Sequence, residues 1–176
     1  MKYIFFRSAH PHGMNPIDLP SGGYDWLLWR PSLLQVRPSG LNLRFFPDAW
    51  WAMHHFHIFS NRKYAIMLAY QNSQLVHYTF LFPRYFPFPF MGKDDINIGE
   101  TWTHQDHRGR GLAPYAVHEI VKQNAGDGRV FWYIATESNI ASIRVITKVG
   151  FEKVGEGFKI KRLGSNLLGY LSYHET

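Results

Sequence analysis

One stretch of the sequence, from Asn97 to Asn124, constrains the fold more than any other. Its first part, which contains Ile98, Trp102 and Thr103, predicts a β-strand. Its last part predicts an amphipathic α-helix, because five apolar residues recur at helical spacing: Ala113, Ala116, Val117, Ile120 and Val121. Between them lies the short basic segment Arg108–Ala113. The stretch therefore predicts a strand, a tight basic loop and a helix.

The loop has the composition of an anion-binding site. Gly109 and Gly111 let the backbone turn sharply and come close to a ligand. The N–H groups of such a loop and the positive end of the next helix converge on one point, which suits a pyrophosphate, and Arg108 and Arg110 add charge. The loop is neither a Walker loop nor a dinucleotide fingerprint, because its glycine spacing differs from both. An ordinary surface loop with arginines is the alternative.

A second segment strengthens the functional interpretation. Asn139–Phe151 follows the apolar strand Val130–Ala135, and together with the loop it resembles the GNAT acetyltransferase superfamily. The family's pyrophosphate motif, Arg/Gln-x-x-Gly-x-Gly/Ala, is matched by Arg108, Gly111 and Ala113. The later signature, Asn-x-x-Ala/Ser-x-Arg-x-x-x-Lys-x-Gly-Phe, is matched by Asn139, Ser142, Arg144, Lys148, Gly150 and Phe151. The matched region covers roughly residues 96–155.

The predicted elements give a single α+β domain over residues 1–176, built around a mixed sheet. The resemblance implies a GNAT-like, largely antiparallel central sheet flanked by helices, with one splayed strand pair for the pantetheine of coenzyme A. A helix starting at Ser138 as N-cap and closing at Gly150 as a left-handed cap is expected. The other predicted elements are strands at 2–7, 41–46, 64–70, 75–82, 129–136, 152–163 and 167–173, and a helix at 47–59.

The resemblance further implies acetyl-CoA as co-substrate. The loop and the first helical residues would hold its pyrophosphate: Arg108, Gly109, Arg110, Gly111, Leu112 and Ala113. Unpaired backbone groups of Trp102 and Thr103 would pair with the pantetheine amides, and a strand N–H near Thr103 would polarise the thioester oxygen. Asn139 would hydrogen-bond the pantetheine arm, and Ser142 belongs to the same set.

Two proton transfers then need side chains. A protonated amine acceptor must lose a proton before it attacks, and Glu100 is the first candidate base, with His104 the second. Either residue is equally well explained as a structural partner. Many family members carry a tyrosine acid at the position of Ile146, so this chain lacks that group. Ser142, a water or a tyrosine such as Tyr115 could replace it, or coenzyme A could leave as the thiolate.

The acceptor is predicted to be a primary amine on a small molecule. Leu75–Thr79 and Gly99–His104 look similar to bacterial acetyltransferases encoded among surface-polysaccharide genes, which indicates an amino sugar or a nucleotide-linked amino sugar. One alternative is O-acetylation of a sugar hydroxyl. A non-catalytic acyl-CoA-binding module is another, suggested by Ile146, and a basic, aromatic nucleic-acid binder is a third.

The composition of the chain excludes several classes of binding partner and site. The net charge of +6 is scattered without a long Lys/Arg run, so no nucleic-acid partner is expected. The chain has no cysteine, which excludes disulfides and thiolate metal sites and fits a cytoplasmic protein. No metal site is expected, although His54 and His57 have helical i, i+3 spacing. No apolar stretch is long enough for membrane insertion.

The proline- and phenylalanine-rich segment 82–90 cannot run as a central strand. It allows three interpretations: an apolar lip over the acceptor cleft, a homodimer contact, or a loop whose rings pack onto the core.

Overall fold

The computed structural model describes residues 1–8, 13–43, 46–126, 128–162 and 165–176. Within these ranges the helices are α1 (Phe46–His55), α2 (Leu112–Asn124) and α3 (Ile140–Val149). The strands are β1 (Lys2–Ser8), β2 (Asp25–Trp29), β3 (Ala65–Gln71), β4 (Gln74–Pro83), β5 (Ile96–Thr103), β6 (Phe131–Thr136), β7 (Glu152–Arg162), β8 (Ser165–Leu171) and β9 (His174–Glu175). None of the helices in the described ranges has the length and apolarity needed to cross a membrane.

The strands form one sheet in the order β2-β3-β4-β5-β6-β1-β7-β8, with β9 added beside β7. Only β5 and β6 run parallel, and the other neighbouring pairs are antiparallel. The predicted α+β fold with a mixed, largely antiparallel sheet and flanking helices is therefore confirmed. Strand β1 lies in the middle of the sheet, because it pairs with β6 on one side and β7 on the other.

The parallel pair β5–β6 opens after three residue pairs. The last of these joins Ile98 to Tyr133, although β5 continues to Thr103 and β6 to Thr136. On its other side β5 stays paired with β4 as far as Thr103, opposite His77. A register shift between Tyr78 and Phe80 places an extra residue in β5, and Glu100 takes a left-handed conformation with φ of 46°. Such a bulge bends a strand, which accounts for the opening.

Apolar side chains fill both faces of the sheet. Helices α2 and α3 cover one face, and four of the five apolar residues predicted for α2 are fully buried there: Ala116, Val117, Ile120 and Val121. The fifth, Ala113, is half-buried at the start of the helix. The opposite face is aromatic and packs against α1 through rings such as Trp50 on Phe80, with centroids 5.0 Å apart. The two cores hold α2 and β5 in fixed positions next to the opening between β5 and β6.

Segment 82–90 packs its rings onto the aromatic core. The Phe90 ring meets Phe5 edge-on at 5.1 Å, and Tyr85 meets Phe59 at 5.3 Å. Phe88 is 9% exposed, whereas Phe86 is 44% exposed. Of the three interpretations of this segment, core packing is the one that these contacts support.

Three local predictions were wrong, and one strand was not predicted. The helix predicted at 47–59 ends at His55. Residues 41–43 form no strand, Phe46 begins α1, and residues 44 and 45 lie outside the described ranges. The N-cap of α3 is Asn139 rather than Ser138, since its Oδ1 accepts the Ser142 N–H at 3.1 Å. Strand β2 has no counterpart among the elements predicted from the sequence. The left-handed cap at Gly150, with φ of 99°, is confirmed.

Candidate functional site

The basic loop joins β5 to α2 with an exposed backbone. Gly109 and Gly111 have φ values of 75° and 83°, in the left-handed region that favours glycine. A Cβ atom at either position would meet no other atom within 4 Å, so the space above the loop is open. Gly111 is the N-cap of α2 and supplies no side-chain cap. The first N–H groups of this helix therefore have no side-chain acceptor and can donate hydrogen bonds to a bound anion.

A cleft of about 480 Å³ extends from this loop into the opening between β5 and β6. Nine of the predicted co-substrate residues line it: Trp102, Thr103, Arg108, Gly109, Gly111, Leu112, Ala113, Asn139 and Ser142. Sequence reasoning had not selected seven others: Thr101, His107, Pro114, Tyr133, Ala141, Val145 and Lys148. Lys148 belongs to the matched signature and could have been chosen, whereas Thr101 could not, because its exposure depends on the bulge.

Arg110 faces a neighbouring cavity of about 330 Å³. Segment 16–20 forms its outer wall, and Lys148 lines both this cavity and the cleft. Asn15 fixes the segment to the end of α3, because its N–H donates to Val149 O at 3.0 Å and its Nδ2 to Lys148 O at 2.9 Å. The loop thus has a cationic side chain on each side, Arg108 in the cleft and Arg110 outside it.

The free edge of β5 offers backbone groups to the cleft. The His104 N–H donates to Val76 O at 2.8 Å, so this residue and Trp102 direct their backbone groups towards β4. Alternate residues of a strand direct these groups to opposite edges, and those of Thr103 and Thr101 therefore face the cleft. The expectation of unpaired backbone groups on Trp102 was wrong for this reason. Thr103 O accepts a hydrogen bond from Arg108 Nε at 3.1 Å.

Helix α3 forms the opposite wall. The side chain of Asn139 caps this helix through Oδ1, which leaves its Nδ2 amide group to reach a ligand. Ala141, Ser142 and Val145 line the cleft beyond it. Ile146 is fully buried in the core and contributes no polar atom. Tyr115 packs at a tilted angle against Trp26, with ring centroids 4.8 Å apart, and is not among the cleft-lining residues.

The two candidate bases lie beside the cleft rather than in its lining. Glu100 occupies the bulge next to Thr101 and faces the aromatic side of the sheet, where Trp102 stacks on Tyr78 at 5.4 Å. Burial by surrounding atoms raises the pKa of the Glu100 carboxyl above its ordinary value, although the residue keeps solvent access. Burial and then the charge of Glu100 raise the pKa of Tyr78.

His104 lies just after β5 on an exposed turn. Its Nδ1 accepts the Asp106 N–H at 3.4 Å and lies 3.7 Å from the Asp106 carboxylate. Its side chain is 44% exposed. By surface exposure His104 is half-buried and Glu100 is exposed, so shielding from solvent does not favour Glu100 as the base.

A buried polar chain lies behind the free edge of β5. His77 is fully buried, with Nδ1 at 2.8 Å from Thr103 Oγ1 and Nε2 at 3.0 Å from Thr79 Oγ1. Thr79 Oγ1 donates to Thr101 Oγ1 at 3.2 Å. Burial lowers the pKa of His77 to about 3, so the imidazole is neutral at neutral pH.

This buried imidazole predicts an acid-sensitive fold. The pKa of His77 is about 3 in the folded state and about 6.5 in an unfolded chain. Below pH of about 6.5 the unfolded state binds the proton first, so the free energy of unfolding falls as pH falls, until about pH 3. From about pH 7 to about pH 5 this residue alone should remove about 2 kcal/mol. Urea unfolding at both pH values should show a smaller loss in His77→Gln, and equal losses would contradict the prediction.

Comparison with known proteins identifies the family of this chain. A family model described as the acetyltransferase (GNAT) family matches residues 26–151, well over half of the chain. No curated protein sequence matches the chain.

Solved structures with the same fold exist in several bacteria. An acetyltransferase of the GNAT family from Novosphingobium aromaticivorans is 16% identical, with a TM-score of 0.56 over 88% of this chain and 61% of its own. An acetyltransferase from the GNAT family of Colwellia psychrerythraea is 14% identical, with a TM-score of 0.52 over 86% and 52%. A tandem GNAT protein from the clavulanic acid biosynthesis pathway is 18% identical, with a TM-score of 0.57 over 86% and 50%. The chain thus spans between half and two thirds of these structures, and identities this low show a shared fold.

Proposed function

We propose, from the premise that this chain belongs to the GNAT acetyltransferase family, that it transfers an acetyl group from acetyl-CoA to a primary amine of a small acceptor. One observation carries the proposal: the opened β5–β6 pair leads directly to the uncapped N-terminus of α2. An elongated molecule with amides along its length and a pyrophosphate at one end is complementary to both features.

The residues present suit coenzyme A along this whole path. Thr103 and Thr101 would pair with the pantetheine amides through their backbone groups, and Asn139 Nδ2 would reach the same arm from α3. Gly109, Gly111, Leu112 and Ala113 would cradle the pyrophosphate with backbone N–H groups. Arg108, Arg110 and Lys148 would add positive charge on either side of the loop.

Acetyl-CoA supplies an activated acyl group, and the chain supplies positioning and proton transfer. A β5 N–H group, from Thr103 or its alternate neighbour Thr101, would donate to the thioester oxygen as charge develops on it. Glu100 would accept the proton of the attacking amine, directly or through a water. A raised pKa makes this carboxylate a stronger base than an ordinary one. His104, on the turn beyond β5, is the second candidate.

The acceptor is proposed to be an amino sugar, free or nucleotide-linked, such as those of surface-polysaccharide biosynthesis. The Glu100 side of β5 supports this choice, because Trp102 and Tyr78 form a stacked aromatic wall beside the carboxylate. Aromatic faces stack on sugar rings and bases, and the carboxylate would attract the ammonium form of the amine. A sugar hydroxyl remains the alternative acceptor, and it would need a stronger base.

Isothermal titration of the protein with acetyl-CoA and with desulfo-CoA tests the donor half. We expect micromolar binding of both, because the proposed contacts lie along the pantetheine and pyrophosphate. Release of free thiol on adding amino sugars, compared with their N-acetylated counterparts, then tests the acceptor half. Absence of binding to either ligand would contradict the proposed function.

A non-catalytic acyl-CoA-binding module is the second candidate, and the burial of Ile146 at the position of the family's tyrosine favours it. The two functions differ in turnover. A transferase should hydrolyse acetyl-CoA slowly without an acceptor, whereas a binding module should leave it intact over the same period.

A further inference from the structure

The side-chain hydrogen bonds of the polar chain behind β5 have no part in the function proposed above, which uses only the backbone groups of Thr101 and Thr103. It consists of Thr103, His77, Thr79 and Thr101, joined by hydrogen bonds of 2.8, 3.0 and 3.2 Å. His77 and Thr79 are fully buried, whereas Thr101 and Thr103 line the cleft. A buried imidazole is costly unless both nitrogens are paired. Here both are paired, and the two ends of the chain are hydroxyl groups at the co-substrate site.

The hydrogen bonds of this polar chain all run in the same direction. A neutral imidazole has one N–H donor and one nitrogen acceptor. Since Thr79 Oγ1 donates to Thr101 Oγ1, its own oxygen must accept from His77 Nε2. His77 Nδ1 then accepts from the Thr103 hydroxyl. Each donor therefore points from Thr103 towards Thr101, and the Thr101 hydrogen is directed away from Thr79.

The position of Thr101 in the cleft lets that hydrogen reach a bound ligand. Thr101 is the cleft-lining residue nearest along β5 to the point where β5 and β6 separate, two residues before Thr103. Glu100, the candidate base, is its neighbour on the opposite face of the strand. The thioester oxygen is proposed to bind a β5 N–H of Thr101 or Thr103, so the thioester sulfur would lie at the same edge of β5 as the cleft-lining Thr101 hydroxyl.

We propose that the Thr101 hydroxyl donates a hydrogen bond to the sulfur of coenzyme A and that His77, through Thr79, holds it in that orientation. This inference rests on the proposed function. As the acceptor nitrogen bonds to the acetyl carbon, its proton goes to Glu100 and the C–S electron pair goes to sulfur. Thr101 stabilises the resulting thiolate without giving up its proton, and the thiolate is protonated by solvent after release. Thr101 is then a catalytic residue and His77 a positioning residue.

The test compares coenzyme A with desulfo-CoA, which lacks the sulfur, by calorimetric titration at a pH where the thiol ionises. Hydrogen bonds to charged groups are the stronger ones, so Thr101→Val should weaken coenzyme A binding about tenfold and leave desulfo-CoA binding unchanged. Thr101→Ser keeps the hydroxyl and should restore the difference. Thr147→Val, the same change on an exposed face of α3, should alter neither ligand.

The positioning role of His77 has its own readout. Thr79→Val removes the hydroxyl that links His77 to Thr101. This substitution should reduce the preference for coenzyme A over desulfo-CoA mainly at high pH. The ultraviolet absorbance of the bound thiolate should show a higher thiol pKa in both Thr101→Val and Thr79→Val. A merely structural role would weaken both ligands equally, and that result would overturn the inference. Failure of the unsubstituted protein to bind either ligand would instead overturn the proposed function.

Discussion

Gly111→Glu should abolish binding of acetyl-CoA, with a loss of affinity of about 100-fold or more. The substituted carboxylate would occupy the open space above the loop, where a pyrophosphate is proposed to lie. Two unit charges about 5 Å apart near a protein surface repel by about 3 kcal/mol, which corresponds to about 100-fold in affinity. Isothermal titration against the unsubstituted protein measures the loss.

The substitution also strains the backbone, because Gly111 has a φ of 83°. A side chain in the left-handed region costs about 1–2 kcal/mol. Gly128→Glu is the matched control, since Gly128 has a φ of 70° and open space around it, and lies beyond the far end of α2. Both variants should lose similar stability in urea, but Gly128→Glu should bind acetyl-CoA normally. Retained binding in Gly111→Glu would remove the loop from the donor site.

Glu100→Gln should lower kcat about 100- to 10,000-fold while acetyl-CoA affinity stays unchanged, as expected for loss of a general base. Glutamine keeps the size of the side chain and its place in the bulge. Thiol release with the amine found by screening measures kcat, and titration measures affinity. A glutamine variant with normal turnover would exclude Glu100 as the base and leave His104, tested in the same way as His104→Gln.

The pH profile gives an independent check on the same residue. A general base acts when ionised, so kcat/KM should rise with pH through the pKa of Glu100. Because burial raises that pKa, the increase in kcat/KM should occur at a higher pH than for an ordinary carboxyl, which titrates near 4.3. The rise should disappear in Glu100→Gln. If it stays in the variant, another group controls the profile.

The sequence predicts the strand, the basic loop and helix α2 well because their signals are local. Helical periodicity, two glycines and two arginines lie within one short stretch, and both glycines adopt the left-handed conformation that the loop needs. The N-cap of α3 was missed by one residue because Ser138 and Asn139 are both good caps, and neither propensity nor spacing distinguishes them.

Other features depend on pairing between distant segments, which no local pattern reveals. The orientation of Trp102, and with it the exposure of Thr101, is set by one extra residue at Glu100 against β4. The partners of His77 are Thr79 beside it and Thr103 on the next strand, so its role appears only when the register is known. Strand β2 was missed because it becomes a strand by pairing with β3 at the edge of the sheet.

The central place of β1 has a consequence for folding. Residues 2–8 pair with 131–136 on one side and with 152–158 on the other, so both ladders close loops of more than a hundred residues. Contacts of such high sequence separation are slow to form, and the entropy of loop closure is lost before they stabilise the chain. In backbone pairing, β1 alone joins β7, β8 and β9 to the other strands of the described chain. Hydrogen exchange should therefore find the amides of β6 and β7 that face β1 opening together, as one cooperative unit.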